Sequence, residues 1–387
     1  MLRNQLDEDW KYWMTQYPEL ATSIGYPGQN MRWTDYSQPA IDARAEYLKK
    51  SFERLSMIDR AKLEPEDQIN YDLYRDLLET AVKGLDFHND ALPIRGVIPH
   101  NLMMPMNQLE GIQQDVARTF AIMPAETRED YENIILRLQR IGLLVDQTIA
   151  LMEQGIAAGM TPPRVTFREV PDQIKAQIFE DPLKSPMLEA FTKTLASIPE
   201  TERASLTGRA AAAYRQVVVP GFMKLHDFLV SRYLPACREA TDVRALPSGA
   251  SMYAYNVKWH TTTDKTPQEI HEIGLAEVKR IRAEMDRVIA ESGFKGSYED
   301  FKKFLRTSPQ FYFKDADDCV LRPRIVRCGP VCVYVCEHLQ ARGAPQMGDG
   351  SVDDARSRAR SSHSDFASAG DAGSAGVSQE LQLHRVC

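Results

Sequence analysis

Two patterns in this chain use residue types that can hold a metal, and neither is complete. His271-Glu272-Ile273-Gly274-Leu275 starts as a zincin helix does. In that motif two imidazoles one helical turn apart take the ion, and the glutamate works on its water. Position 275 is leucine, so one ligand is gone. What remains is a polar pair in the first turn of a helix, where a carboxylate favours the positive end of the dipole. Farther along, Cys328, Cys332, Cys336 and His338 follow one another closely. On a helix they would set three thiols along one face, and thiolates suit zinc. Structural zinc sites instead use cysteine knuckles held by folded neighbours, which the surrounding sequence does not offer. His88, His100, His226 and His260 are separated singles. There is no Gly-x-Ser-x-Gly elbow, phosphate loop or dinucleotide-binding glycine pattern. No catalytic residue and no metal ligand is therefore assigned. The Met-rich run Leu102-Met-Met-Pro-Met-Asn107 reads as core packing.

The elements that would position any site are helices with proline and hydroxyl start signals. Ser37 stands as an N-cap before Leu48, Phe52 and Leu55 at helical spacing, and Pro65 sits in a first turn where its missing N–H does no harm. Thr127-Arg-Glu-Asp130 has capping-box spacing and opens a long helical stretch through Ile134, Leu138, Ile141, Val145 and Ile149 to Met152, closed by Gly155 and Gly159. Residues 199–237 read as helical, with a kink or break expected at Pro220. Thr266-Pro-Gln-Glu269 is the strongest start signal, followed by the apolar stripe Ile270, Ile273, Val278, Ile281, Met285 and Val288. Gly293 ends that helix and Ser297-Tyr-Glu-Asp300 caps the next. Between them, the aromatic and β-branched residues from Leu246 to Thr263 predict a short strand or ordered loop. No repeat of solenoid length is present.

Composition excludes several function classes. Of 387 residues, 43% are hydrophobic and 26% charged, enough for a sizeable core, and the net charge of −7 gives no basic face for nucleic acid. No apolar run approaches the roughly 20 residues of a membrane span. The N-terminus, Met1 to Trp10, is charged from the start and lacks a signal-peptide stretch, so a cytoplasmic protein is expected. Only Cys237 precedes residue 319, which fits a reducing compartment. The other five cysteines fall in residues 319–387, which hold eight arginines and no lysine and drift into Ser, Ala and Gly. Two readings of this tail stand: a natural low-complexity segment, or translation out of frame past Asp318. The switch from Lys to Arg, Cys, Ala and Gly, as a GC-rich gene gives when misread, favours the second. Either way disorder is expected there.

The run Tyr253-Ala-Tyr-Asn-Val-Lys-Trp-His260, with the helix behind Thr266, resembles the family called domain of unknown function 885, whose members are similar to helical zinc metallopeptidases. Pro18–Gly25, Leu63–Asp72, Asp146–Ala150, Thr161–Val165, Tyr233–Pro235 and Ser308–Phe313 agree in family order, so the resemblance covers about 18–318. It implies an all-α, mainly helical fold, with a minor β element near 250–262. Residues 1–318 would be the N-terminal part of a metallopeptidase-like domain, and 319–387 a tail. The family's zinc motif, similar to His-Glu-x-x-Pro-Gly-His, lies beyond the segment like Phe311–Asp318 and has no counterpart here. The resemblance therefore implies a peptide hydrolase fragment without its metal ligands, inactive as it stands, zinc and a peptide substrate belonging to the full-length family. It also implies that Gly249–Thr263 lines the cleft, with Tyr253, Tyr255 and His260 as candidate substrate contacts. The competing readings are a non-catalytic helical module that binds a partner, and a metal- or redox-responsive cysteine tail.

Overall fold

Local start and stop signals account for most helix ends. The fold is a computed structural model that describes residues 1–94, 96, 99–193 and 198–312, with the backbone of 326–328 and 331–333. In chain order the helices are α1 (Leu2–Gln16), α2 (Pro18–Ser23), α3 (Gln38–Ser56), α4 (Pro65–Gly84), α5 (Ile112–Ile122), α6 (Arg128–Gln139), α7 (Ile141–Ala157) and α8 (Val170–Lys175). They continue as α9 (Ala190–Lys193), α10 (Glu200–Ala213), α11 (Val219–Phe228), α12 (Leu234–Ala236), α13 (Gly249–Thr261), α14 (Pro267–Glu291) and α15 (Tyr298–Thr307). Capping boxes form at Thr127/Asp130 and Ser297/Asp300. Thr266 and Glu269 exchange the same pair of bonds at the start of α14. Each satisfies two backbone donors that a helix start leaves open.

Three sequence expectations meet a different outcome. The 127–152 stretch is two helices, because the chain steps at Arg140 between α6 and α7. Pro220 does not break its helix: a π turn, Tyr214–Val218, precedes it, and a second, Leu229–Tyr233, precedes Pro235. Widening the turn accommodates a residue that can neither donate nor tolerate the carbonyl four positions back. The β element expected near 250–262 is instead the helix α13. Met252, Tyr255 and Trp259 fall on one helical face, and burying that face outweighs the strand preference of its aromatics.

The chain divides into two compact units, Met1–Met285 and Asp286–Cys387. In the first unit, Tyr131, Ile134, Leu138, Val145, Phe222 and Leu225 centre one core, from α6, α7 and α11. Trp13, Met14, Leu48, Leu55 and Leu78 centre another, from α1, α3 and α4. The Met-rich run packs as expected, with Met106 fully buried and Met103 and Met104 against a small cluster around Met160 and Met252. Two buried polar hubs tie these helices together. Asp9 of α1 accepts hydrogen bonds from Ser51 (2.5 Å), Tyr47 (2.7 Å), Arg54 (2.7 Å) and Tyr74 (2.8 Å). Arg137 of α6 donates to the carbonyls of Arg32 (2.8 Å), Gln29 (3.2 Å) and Pro18 (3.3 Å) and to Thr22 Oγ1 (3.0 Å), stapling the 18–32 segment to the core.

The apolar stripe of α14 is the one long amphipathic face left without cover among the described residues. Ile273 is 46% exposed, Val278 68%, Ile281 41% and Met285 43%. In the second unit, Phe294, Phe301 and Phe304 gather within 5.2–6.1 Å between ring centres, and Phe304 meets Phe311 at 5.3 Å. Two strands, β1 (Val326–Cys328) and β2 (Val331–Val333), pair antiparallel, with Arg327 opposite Cys332. The remainder of the 319–387 tail, with the disorder expected of it and the Cys336/His338 pattern, lies outside the described residues.

Candidate ligand cavity

The site is built where α4 ends. Beyond Gly84 the chain turns through His88, held in a left-handed conformation (φ 60°), so that residues 88–90 run antiparallel to 100–102. Asp90 N donates to the His100 carbonyl (2.9 Å) and Leu102 N to the His88 carbonyl (2.8 Å). Asn101 locks the turn by donating from Nδ2 to the Phe87 carbonyl (2.7 Å) and accepting from Met103 N (3.0 Å). This pairing sets the side chains of Asp90 and His100 together, Nδ1 to Oδ2 at 3.6 Å, an ion-pair contact longer than a hydrogen bond.

Two other parts of the chain converge on the same carboxylate. Tyr17, between α1 and α2, donates its hydroxyl to Asp90 Oδ1 at 2.5 Å. Arg44 of α3 is fully buried, with Nε 3.8 Å from that oxygen and Nη1 donating to the Asp35 carbonyl at 2.7 Å. Its guanidinium lies over the rings of Tyr17 (5.3 Å) and Tyr36 (5.7 Å). Arg44 Nε and Nη2 have no hydrogen-bond partner among the described residues. Burial alone would push the Asp90 carboxyl up, but the contact with His100, the Arg44 charge and the Tyr17 hydroxyl outweigh it and hold it below the usual carboxylate range. The partial burial of His100, whose side chain stays 44% exposed, opposes its charged form, yet Asp90, with Glu110 and Asp115 beyond it, raises its pKa above that of a free imidazole. Tyr17 and Tyr36 are raised well above an ordinary phenol, first by burial and then by Asp90.

Above this cluster lies a cavity of about 380 Å³, within the range of small-molecule sites. Its walls are largely apolar and include Trp33, Leu144 and Leu151 with Tyr255 and Trp259 of α13. The lining carboxylates already have donors. Glu19 accepts from Thr34 N (3.1 Å) and Thr34 Oγ1 (2.6 Å), and Asp115 from Gly111 N (3.0 Å) and Arg118 (3.2 Å). Tyr36 and His100 meet edge to face at 6.3 Å, both in the wall. Among the described residues nothing hydrogen-bonds the Tyr36 hydroxyl or His100 Nε2.

Of the three residues expected to line a cleft, the structure brings one to this cavity. Tyr255 forms part of its wall, donating to the Thr80 carbonyl (3.2 Å) beside Gly84. Tyr253 is 48% exposed, and neither it nor His260 lines the cavity, since a helix sends residues two and five positions from Tyr255 to other faces. Trp259, one turn on from Tyr255, takes the place that the sequence reading gave to His260. Arg44, Asp90 and Tyr36 carried no motif. The pairing of 88–90 with 100–102 that makes His100 more than a lone histidine has no local signature. His271 and Glu272 stand exposed on α14. Among the described residues no group of three or more His, Cys, Asp or Glu side chains could hold a metal ion. By the resemblance, zinc belongs to a motif of the full-length family beyond residue 318 and not to these residues.

No helix among the described residues is long and apolar enough to cross a membrane. The fold is similar to a solved structure titled "The crystal structure of the putative lipoprotein from Colwellia psychrerythraea", with a TM-score of 0.68 and 20% sequence identity. The match covers 80% of this chain and 54% of that one, so the chain spans about half the length of its neighbour. No curated protein matches the sequence. Residues 18–322 match the family described as "Bacterial protein of unknown function (DUF885)". The expectation of a zinc-metallopeptidase-like hydrolase is corrected by these comparisons, because the family carries no assigned activity and the neighbour's title names none. What the motif fragments along residues 18–318 did identify is the lineage itself: the family match runs through most of the chain, and the protein belongs to DUF885.

Proposed function

We propose that the first unit is a receptor for a small, mainly apolar organic molecule held in the cavity above Asp90 and His100. The observation that carries this reading is the cavity itself, about 380 Å³ with aromatic and aliphatic walls and a few convergent polar groups. Binding, not bond-making, is assigned. The lining threonines are engaged, Thr34 donating to Glu19 and Thr148 to the Leu144 carbonyl, and Cys237 is buried outside the lining with its thiol pushed up to about 11 by burial. A cytoplasmic setting belongs to the same reading, supported by that free buried thiol as the one cysteine of residues 1–318.

Two of the four tryptophans, Trp33 and Trp259, line the cavity, so their emission reports occupancy. Titrating the full chain with 2-phenylethanol should give a saturable emission change and a raised melting temperature. Ile112→Trp, which fills the cavity from the start of α5, should abolish both. Saturable binding that survives Ile112→Trp would place the ligand elsewhere and overturn the reading.

A further inference from the structure

Among the described residues, several polar groups that line the cavity have no partner. Every lining carboxylate already accepts from the protein: Asp90 from Tyr17, Glu19 from Thr34, and Asp115 from Gly111 N and Arg118. The Asn89 amide makes no side-chain hydrogen bond among the described residues, its Nδ2 buried, and in the wall that Tyr36 and His100 form the unmatched groups are donors, Nε2 being one in the imidazolium form. Tyr36 Oη and His100 Nε2 face no acceptor among the described residues, and their rings stand 6.3 Å apart in one wall. Behind them the Arg44 guanidinium sits 5.7 Å from the centre of the Tyr36 ring, with Nε and Nη2 lacking hydrogen bonds. Donors without acceptors are costly wherever they lose water, and binding an apolar molecule removes that water.

We propose that the molecule bound here is a small monocarboxylate, its apolar body against Trp33, Trp259 and Leu151 and its carboxylate accepting from Tyr36 Oη and His100 Nε2. This deepens the receptor reading and rests on it. A carboxylate is the head that uses both donors at once, because one oxygen can take the phenol and the other the imidazolium, each bond charge-assisted. An ammonium head would bring three more donors to a corner that already has too many. A hydroxyl could accept from one of the two donors and leave the other dry.

The groups that face His100 set its protonation: Asp90 at 3.6 Å, Arg44 behind Asp90, Tyr17 and Tyr36 from their own segments, and Glu110 and Asp115 from the start of α5. The acidic members hold the imidazolium form, consistent with its raised pKa. Carboxylate affinity should therefore fall as pH rises through the His100 pKa.

The test uses one skeleton with three heads on the full chain: phenylacetate, 2-phenylethanol and 2-phenylethylammonium, followed by tryptophan emission and by calorimetry at pH 6. Phenylacetate is expected to bind about tenfold more tightly than the alcohol, equivalent to about 1.4 kcal/mol, and the ammonium most weakly. Tyr36→Phe removes one donor and keeps the ring, so it should weaken phenylacetate more than the alcohol and erase most of the preference between them. His100→Gln should remove the pH dependence of phenylacetate binding, and both variants are checked for a wild-type melt. Alcohol or ammonium binding as tight as phenylacetate, or a preference untouched by Tyr36→Phe, overturns the carboxylate and leaves the receptor reading standing. If none of the three binds, the receptor reading falls and takes the carboxylate with it.

Discussion

Gly84 is where α4 makes room for α13, and adding one methyl group there tests how tightly the cavity wall is set. A Cβ at this position would stand 2.6 Å from Tyr255 Oη, 3.2 Å from Tyr255 Cζ and 3.3 Å from Asn89 Nδ2. Gly84→Ala gains roughly 1 kcal/mol of helix propensity. Against this stand about 1–3 kcal/mol of overpacking and about 1 kcal/mol for the Tyr255–Thr80 hydrogen bond that the displaced ring gives up. The net expectation is a destabilisation of roughly 1–3 kcal/mol. Tyr255→Phe alone should cost about 1 kcal/mol, the hydrogen bond only. Combined, the phenylalanine lacks the atom nearest the new methyl, so the double variant should be about as stable as Tyr255→Phe by itself. Urea denaturation of the four proteins closes the cycle, with a coupling of at least 1 kcal/mol expected. Effects that simply add, within about 0.5 kcal/mol, would refute the packing of α13 against α4 described here.

Three further outcomes follow from other parts of the fold. Arg137→Met should destabilise the first unit by about 3 kcal/mol or more in urea, because four acceptors in the 18–32 segment lose their donor in a buried setting. The Asp90–His100 pair should make stability depend on pH with two opposite slopes. Asp90, lowered in the fold, contributes above its unfolded pKa of about 3.9 and loses that as pH falls through its folded value; His100, raised, contributes fully below about 6.5 and loses it as pH rises through its folded value. Stability should thus decline from pH 6 toward pH 8, and denaturation curves of His100→Gln should show that decline flattened. Ile273→Gln and Ile281→Gln on α14 should each change stability by less than about 0.5 kcal/mol, against about 2–5 for Leu138→Ala in the core, as melts of the three variants would show.

Helix starts were legible because a cap is a local event. Thr127/Asp130, Thr266/Glu269 and Ser297/Asp300 all make the bonds their spacing implied. The period of α14 was legible too, but periodicity says only that one face is apolar, not what covers it. Ile273 and Val278 remain in the open among the described residues. The α13 segment misled because its residue types favour strands, while its spacing of 252, 255 and 259 is helical, and packing on Gly84 decides the matter. The cavity was illegible for a different reason. Its polar floor joins Tyr17, Tyr36, Asp90 and His100 from separate segments, with Arg44 behind them, and no spacing rule connects residues brought together only by tertiary structure.

The contrast between the two buried arginines carries the functional argument one step further. Arg137 uses Nε, Nη1 and Nη2 in hydrogen bonds to a single segment, and burial lowers its pKa to about 10, which leaves it charged at neutral pH. That is a guanidinium spent wholly on architecture. Arg44 is just as buried, yet Nε and Nη2 make no hydrogen bond among the described residues and its ion pair with Asp90 is long, at 3.8 Å. A buried pair of this kind seldom repays its desolvation, and apolar groups in place of both members would favour stability, whereas loss of Arg44 alone would strand the buried Asp90. Polar clusters that cost stability and border a cavity are candidates for use by a ligand. Arg44, behind the lining rather than in it, therefore belongs to the electrostatics of Tyr36 and His100, and Arg137 to the core. If that division holds, Arg44→Met should weaken phenylacetate binding severalfold besides destabilising the first unit, while Arg137→Met should destabilise it and leave phenylacetate affinity near wild type.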